Sequence, residues 1–313
     1  MTDIRSAFSE ALVAAAMADP RIVLLTSDHG YALFDAFRRE RPQQYFNCGV
    51  AEQNMVGVAA GLAKLGYLPV VYGLAAFVPI RVLEQIKIDV CYEGLPVIFI
   101  GDGAGFVYGQ LGTSHQSTED IASTRAIPSL AILSPADRFE MAAAMALAFR
   151  LNAPVYLRMG KSDRGDVHTA SFELGLGQLL RVRTGAGPLG IIATGSMVRT
   201  ALDLEKYGVD AHIWSAPSLK PIDQKQLSEI SALCNTVVTI EEHSTIGGLG
   251  SAVGDHMAES TRTRVCRIGV RDRFSNLCGT WDYLLREHGL DVESVARTVL
   301  GLGSFRDRDP TVA

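Results

Sequence analysis

The first half of the chain alternates short apolar runs with segments of helical periodicity. A buried parallel strand is typically a short apolar run, whereas a helix repeats its apolar residues three and four positions apart. These patterns predict strands at Ile22–Ser27, Leu68–Tyr72, Pro96–Ile100, Leu130–Ser134 and Val155–Arg158. They predict helices at Ile4–Ala18, Glu52–Leu65, Val78–Cys91 and Arg138–Leu151. Strands that alternate with helices indicate a parallel sheet covered on both faces, which is a doubly wound α/β domain.

A second α/β series follows a polar, glycine-rich stretch at Gly160–Gly177. Its predicted strands are Leu189–Thr194, Ala211–Trp214, Thr236–Ile240 and Val265–Val270, and its predicted helices are Met197–Tyr207, Gln224–Cys234 and Trp281–Gly301. We therefore predict two doubly wound α/β domains, the second of them smaller. The predicted domains span residues 1–165 and 186–303, with a linker at 166–185 and a charged tail at 304–313.

Composition narrows the class of protein. The chain has 313 residues and a formal net charge of −5, which gives no argument for binding nucleic acid or an anionic membrane. No apolar run is long enough to cross a bilayer, and the N-terminus lacks the basic and apolar regions of a signal peptide. Five scattered cysteines without CxxC spacing fit reduced thiols. We expect a soluble, cytoplasmic protein.

Two segments suggest proton-handling chemistry. Glu52 opens a helix rich in small residues, where the helix macrodipole favours an ionised carboxylate. His115 lies in a loop that begins at Gly112. Taken alone, Glu52 also fits ordinary acidic decoration of a helix start, and a loop histidine is usually only solvated.

The glycine-rich segment Gly247–Gly254 follows a predicted strand and opens a predicted helix. Its spacing does not match the GxGxxG pattern of dinucleotide sites, and no acidic residue ends a second strand about twenty residues later. We therefore predict that these glycines allow tight packing between the helix and the sheet.

Several motifs together resemble one enzyme family. Gly49–Met55, Phe77–Gln85, Gly112–Gln116 and Ser134–Asp137 resemble the pyrimidine-binding half of transketolase. Further along, Glu241–His243 and Gly247–Ser251 are similar to the C-terminal domain of that family. The resemblance extends over residues 4–303, and its order and spacing are more specific than any single motif.

The resemblance implies a cofactor that is shared between chains. Transketolases hold thiamine diphosphate between a domain that binds the diphosphate with Mg²⁺ and a domain that binds the aminopyrimidine. Only the second domain has a counterpart here, so the chain resembles the C-terminal subunit of a split transketolase. Its expected partner is an N-terminal transketolase-type subunit that holds the Mg²⁺, and we expect an α2β2 heterotetramer.

Gly101-Asp102-Gly103 looks like the start of the missing diphosphate-and-magnesium motif. In the family, the second metal ligand is an asparagine roughly thirty residues later, because Mg²⁺ needs several oxygen ligands. Here no asparagine occurs between Asn54 and Asn152. We therefore predict that these glycines form no metal site.

The resemblance assigns roles by position. Glu52 matches the glutamate that hydrogen-bonds the aminopyrimidine and favours its imino tautomer, and burial suits a carboxylate to such a task. Phe77 matches the aromatic residue that stacks on the pyrimidine. His115 matches the histidine that approaches the donor carbonyl. The remaining expected contacts are Asp28 and Arg81 for the cofactor, and Gln116, Arg158 and Lys161 for the substrate, the last two as grips for a phosphate or carboxylate.

Three positions depart from the family pattern. Leu74 replaces a second aromatic residue, so the packing around the pyrimidine is less aromatic. Gly103 stands where a sugar-binding histidine is usual, and Gly109–Gly112 lacks the usual acidic residue. The last two changes put standard pentose phosphates in doubt, and Tyr108 and Leu111 make that rim more apolar.

We therefore expect transfer of a two-carbon ketol unit from a ketose or ketose phosphate to an aldehyde. Three alternatives stay open: the β subunit of a 2-oxo acid dehydrogenase, acyl transfer like that of 1-deoxyxylulose-5-phosphate synthase, and a non-catalytic module that only binds a partner.

Overall fold

The computed structural model describes residues 3–260 and 262–303, so the predicted tail at 304–313 lies outside the described residues. The twelve strands are β1 Ile22–Thr26, β2 Tyr45–Asn47, β3 Leu68–Leu74, β4 Ile98–Asp102, β5 Ala131–Leu133, β6 Val155–Met159, β7 Leu180–Arg183, β8 Leu189–Ala193, β9 His212–Ser215, β10 Ser218–Lys220, β11 Thr236–Ser244 and β12 Arg264–Val270. The helices are α1 Ile4–Ala18, α2 Asp35–Glu40, α3 Glu52–Lys64, α4 Leu83–Gln85, α5 Asp120–Arg125, α6 Arg138–Leu151, α7 Met197–Asp203, α8 Gln224–Leu233, α9 Leu249–Ser260, α10 Trp281–His288 and α11 Val292–Gly303.

The first sheet has the strand order β10-β5-β6-β4-β3-β1-β2. All neighbours pair in parallel except β10, which runs antiparallel to β5. Helices α1 and α6 bury Phe8, Leu12 and Met145 against one face, and α3 contributes Val56 and Ala59 to the core on the other. The predicted doubly wound arrangement is confirmed, because helices cover both faces of a mainly parallel sheet.

The edge strand β10 comes from the C-terminal half of the chain and was not predicted. Ser218 pairs with Leu133, and the Ser134 amide donates to the Pro217 carbonyl (2.8 Å). The two halves of the chain therefore share one hydrogen-bonded sheet.

The second sheet has the order β12-β11-β8-β9-β7, and its strands are parallel except for β7 at the edge. Strand β7 lies within the segment that we predicted as a linker. The core residues of this second sheet, which include Ile191, Val238 and Ile240, pack against α7, α10 and α11. This is the second α/β domain that the pattern predicted. Among the helices of the described ranges, none combines the length and the apolar character that a bilayer span requires.

Two predicted helices differ in detail from the structure. The segment predicted as a helix at Val78–Cys91 consists of a 3₁₀ turn at Ile80–Val82, the single turn α4, and a π-helical turn at Ile86–Cys91. The predicted helix at Trp281–Gly301 is divided into α10 and α11, because Gly289 adopts a left-handed φ of +68° and ends α10.

The glycines at the start of α9 allow close packing, as predicted. A Cβ on Gly250 would lie 2.8 Å from Arg267 Cγ and from Thr239 Oγ1, both on the sheet beneath. The Glu241 carboxylate accepts from the amides of Leu249 (2.7 Å) and Gly250 (2.8 Å) and so caps the helix. No dinucleotide site is needed to explain the motif.

We expect Gly250→Ala to lower the free energy of unfolding by about 1–3 kcal/mol, because the added methyl group overpacks this contact. The matched control is Gly254→Ala in the same helix, where a Cβ meets no atom within 4 Å. Alanine in an open helical position should stabilise by up to about 1 kcal/mol. Urea unfolding measures both variants, and an equal change in the two would contradict the packing explanation.

Candidate active site

Glu52 lies at a helix start that the preceding turn creates. Gly49 adopts a φ of +68°, and its amide donates to Asn47 Oδ1 (2.8 Å). The chain then enters α3 at Glu52, whose side chain is 2% exposed. Arg81 Nη1 donates to Glu52 Oε2 at 2.9 Å. Among the described residues, Glu52 Oε1 is buried and has no hydrogen-bond partner. A buried, unsatisfied carboxylate oxygen is costly, so this atom points to a ligand.

Aromatic rings surround the same arginine. Arg81 Cζ lies 4.0 Å from the centre of the Phe77 ring, which is a cation–π distance. The His115 ring meets Phe77 edge-on, with 5.3 Å between ring centres, and the His29 ring lies 6.2 Å from it. Glu52, Phe77, Arg81, His115 and His29 are called the Glu52 cluster below.

The structure thus brings four predicted site residues together and adds a fifth. His29 was missed by the sequence analysis, which named its neighbour Asp28. A signal existed, because β1 ends at Thr26 and ligands collect beyond the carboxyl ends of parallel strands. Asp28 itself is exposed and accepts a hydrogen bond from the Tyr31 hydroxyl, and among the described residues it makes no hydrogen bond or ion pair with the cluster.

The loop that carries His115 is held at both ends. Gly112 has a φ of +84°, and its carbonyl accepts from the His115 amide (3.0 Å). Ser114 Oγ lies 3.0 Å from His115 Nδ1. The predicted substrate residue Gln116 is buried, and its Oε1 accepts from Ser275 Oγ of the second domain (2.8 Å).

Arg158 and Lys161 lie elsewhere. Arg158 is 2% exposed, and its Nε donates to Asp120 Oδ2 (2.8 Å) while its Nη2 donates to the carbonyls of Glu242 (2.8 Å) and Ser117 (3.3 Å). These contacts engage Nε and Nη2 of the guanidinium within the protein, and for this reason the proposal below does not assign Arg158 to the substrate. Lys161 pairs with Asp163 (2.9 Å), and within the part of the chain that the structure describes it makes no hydrogen bond or ion pair with the Glu52 cluster.

The segment Gly101–Gly103 serves packing. Asp102 Oδ2 accepts from the hydroxyls of Tyr72 (2.7 Å) and Tyr108 (3.0 Å), and Arg5 Nη2 lies 3.3 Å away. Burial, reinforced by the Asp102 carboxylate, raises the pKa of Tyr108 to about 12, so the phenol remains a donor at neutral pH. A Cβ on Gly103 would lie 2.0 Å from the Tyr108 ring. Within the described residues, no three His, Cys, Asp or Glu side chains are placed to hold a metal ion.

Glu242 connects the two domains behind the site. Its carboxylate accepts from the Phe106 amide (2.7 Å), from Ser196 Oγ (2.5 Å) and from Trp281 Nε1 (2.8 Å). Burial raises the pKa of Glu242, and the hydrogen bond from Phe106 acts in the opposite direction. The sequence analysis named Glu241–His243 as a family motif without a role. In the structure, Glu242 joins Phe106 of the first domain to Ser196 and Trp281 of the second.

Comparisons with known proteins agree with this architecture. Residues 1–165 match the family model of the transketolase pyrimidine-binding domain, and residues 177–295 match that of the transketolase C-terminal domain. The chain belongs to the transketolase family, whose members depend on thiamine diphosphate.

Relatives of similar length indicate the split form. The chain is 36% identical to a putative transketolase C-terminal section of Methanocaldococcus jannaschii, with 95% of each chain covered. It is 33% identical to a 6-deoxy-6-sulfo-D-fructose transketolase subunit of a Clostridium species, with 94% of this chain and 92% of that one covered. A solved split-gene transketolase, described as an inactive β4 tetramer, matches with a TM-score of 0.85 and 34% identity over 96% of this chain and 97% of that chain.

One longer relative has a different enzyme name. The chain is 36% identical to 1-deoxy-D-xylulose-5-phosphate synthase of Chlorobium phaeovibrioides, and the match covers 93% of this chain but only 47% of that enzyme. The fold and the family therefore agree with the resemblance stated from sequence, and this chain is similar to subunits of two-chain transketolases.

Proposed function

We propose that this chain is the pyrimidine-side subunit of a two-chain enzyme that transfers a two-carbon ketol unit from a ketose or ketose phosphate to an aldehyde. The single observation that supports it most is the buried, unpartnered Oε1 of Glu52 beside Phe77 and His115. A carboxylate oxygen left without a partner fits a ligand that completes the site.

The residues of the Glu52 cluster fit the aminopyrimidine of thiamine diphosphate. Glu52 Oε1 would hydrogen-bond a ring nitrogen, while Arg81 holds Oε2 and keeps the carboxylate oriented. Phe77 would present its ring to the flat heterocycle. When bound, the cofactor supplies the nucleophilic thiazolium carbon, and Glu52 controls where a proton sits on the pyrimidine side.

His115 would act on the substrate. Its ring is adjacent to Phe77, and Ser114 Oγ at Nδ1 fixes the orientation of the imidazole. Such a ring can donate a hydrogen bond to the oxygen of a donor carbonyl as negative charge develops there. His29, whose ring centre lies 6.2 Å from that of Phe77, is a further candidate for substrate contact. Gln116 would act by positioning His115, since its amide is bound to Ser275.

Exposed apolar side chains at the two ends of α3, the helix that begins at Glu52, support a partner chain. Val50 is 76% exposed immediately before α3, and Leu65 is 77% exposed at its end. On the helix between them, a Cβ at Gly57 or Gly61 would meet nothing within 4 Å. Exposed apolar surface of this kind marks interfaces. We infer that an N-terminal transketolase-type subunit covers this face, holds the Mg²⁺ and the diphosphate, and forms an α2β2 assembly.

One alternative has a specific observation in its favour. The identity to the 1-deoxyxylulose-5-phosphate synthase of Chlorobium equals that to the archaeal split relative. That reaction takes pyruvate as donor and releases carbon dioxide, whereas ketol transfer from a ketose releases none. The donor therefore separates the two functions.

The test combines the chain with its N-terminal partner subunit, thiamine diphosphate and Mg²⁺. We expect the mixture to convert a ketose donor and an aldehyde acceptor without release of carbon dioxide, and either chain alone to be inactive. Mass spectrometry of the products and a carbon dioxide assay with pyruvate measure the two reactions. Turnover by the isolated chain would contradict the split site, and turnover with pyruvate only would select the alternative.

A further inference from the structure

A cavity on the second domain is lined by many guanidinium groups. It has a volume of about 450 Å³ and lies between the end of β12 and the helices α10 and α11. Its charged side chains are Arg267, Arg271, Arg273, Arg286, Arg297 and Glu287. Five cations and one carboxylate meet here on a chain whose formal net charge is −5, so the local field is opposite in sign to the overall charge.

Three of these arginines are already engaged within the protein. Arg273 Nη1 pairs with Glu287 (3.0 Å), Arg297 pairs with Glu293 on the exposed side of α11 (3.0 Å), and Arg267 donates to the Thr245 carbonyl (3.3 Å). Within residues 3–260 and 262–303, the guanidinium groups of Arg271 and Arg286 have neither a hydrogen bond nor a carboxylate within 4.0 Å.

A histidine that lines the cavity has a buried nitrogen without a partner in the described part of the chain. The His288 side chain is 1% exposed and lines the cavity, and its Nδ1 has no hydrogen-bond partner among the described residues. Burial and Arg273 lower the pKa of His288, so the ring is neutral near pH 7. One buried nitrogen of the histidine is therefore unpaired, and the exposed guanidinium groups of Arg271 and Arg286 offer donors that no group of the described residues occupies.

The same histidine connects the cavity with the His115 loop. Ser275 Oγ donates to Gln116 Oε1 (2.8 Å), so its lone pair is left to accept from His288 Nε2 (3.0 Å). Arg273 and His288 line both the large cavity and a small one beside Gln116. A ligand that draws Arg273 towards itself would therefore act on the residue next to His115.

We propose that this cavity binds a small molecule carrying a phosphate or diphosphate group, and that its occupancy acts on the His115 loop through His288, Ser275 and Gln116. A phosphate combines up to two negative charges with three acceptor oxygens, which matches several converging guanidinium forks better than one carboxylate does. The volume lies in the range of small-molecule sites. Hydroxyl groups of Thr245, Ser294 and Thr298 add neutral donors around it.

Binding is tested on the full chain alone, without thiamine diphosphate or partner subunit, so the result does not depend on the function proposed above. The probe is inorganic pyrophosphate, titrated by calorimetry at about 0.15 M ionic strength. We expect one saturable site per chain. Arg271→Gln with Arg286→Gln should weaken the affinity by about tenfold or more, because two charge-assisted contacts are lost.

A matched control removes two charges elsewhere. Arg181→Gln with Arg264→Gln changes exposed arginines outside the cavity and should alter the affinity by no more than about twofold. Circular dichroism and the single Arg286→Gln variant guard against a folding defect. The proposal is overturned if the wild-type chain does not bind pyrophosphate, if both double variants bind alike, or if the chain binds an oligoglutamate peptide but no pyrophosphate.

The coupling has its own readout. Pyrophosphate should slow amide hydrogen exchange in residues 112–117 of the wild-type chain. Ser275→Ala should bind pyrophosphate but lose this effect, since it removes the link between His288 and Gln116. Exchange that does not respond to pyrophosphate in the wild type would overturn the coupling.

Discussion

Glu52→Gln is expected to reduce turnover of the assembled two-chain enzyme by about a hundredfold or more, which is the usual range for loss of a group that handles a proton. Glutamine has almost the same shape as glutamate and still offers an oxygen to Arg81, which donates at 2.9 Å in the native chain. It lacks a titratable proton. The variant therefore separates the proton chemistry of the site from its architecture.

Three measurements make this result specific. Gel filtration should find the variant in the same complex as the wild type, and thermal unfolding should confirm that it is folded. The charge-matched control is Glu10→Gln on α1, which is exposed and should keep normal activity. If Glu52→Gln retained turnover within about tenfold of the wild type, Glu52 would not be the residue that controls the pyrimidine.

Most of the strands that the sequence predicted correctly share one property. The strands β1, β3, β4 and β6 are almost wholly buried, and their apolar runs are visible without any tertiary information. The missed strands β2, β7 and β10 are edge strands of three or four residues. Strand β10 also pairs with a sheet formed by the other half of the chain, and no local pattern encodes that partner. Short edge strands are fixed by tertiary contacts.

The site was predictable in part for a similar reason. Glu52, Phe77 and His115 are far apart in sequence, and no periodicity relates them, so only the family motifs placed them together. The His29 ring lies beside the Phe77 ring, but His29 belongs to no motif that the sequence analysis used. Arg158 was expected to grip a phosphate or carboxylate because it lies in the segment where the family places a phosphate-binding arginine. In the structure, Arg158 is bound to Asp120, a carboxylate 38 residues away in the chain. No local sequence pattern predicts that pairing.

Breaking the buried ion pair between Asp120 and Arg158 is expected to have the second large effect. Asp120→Ala should lower the free energy of unfolding by about 3–5 kcal/mol, because it leaves the Arg158 charge buried without its counter-ion. Asp120 is 0% exposed, and its Oδ2 accepts from both Arg158 Nε (2.8 Å) and the Tyr156 hydroxyl (2.7 Å). The loss should also loosen the loop after His115, since Arg158 holds the Ser117 carbonyl.

Urea unfolding with two comparison variants tests this explanation. Glu173→Ala breaks the exposed pair with Arg150 and should cost less than about 1 kcal/mol. In the double variant Asp120→Leu with Arg158→Met, both charges are replaced by apolar groups, so it should be more stable than Asp120→Ala alone. A double variant no more stable than Asp120→Ala would mean that the unpaired charge is not the cause. The destabilisation would then come from lost packing and from the unpaired Tyr156 hydroxyl.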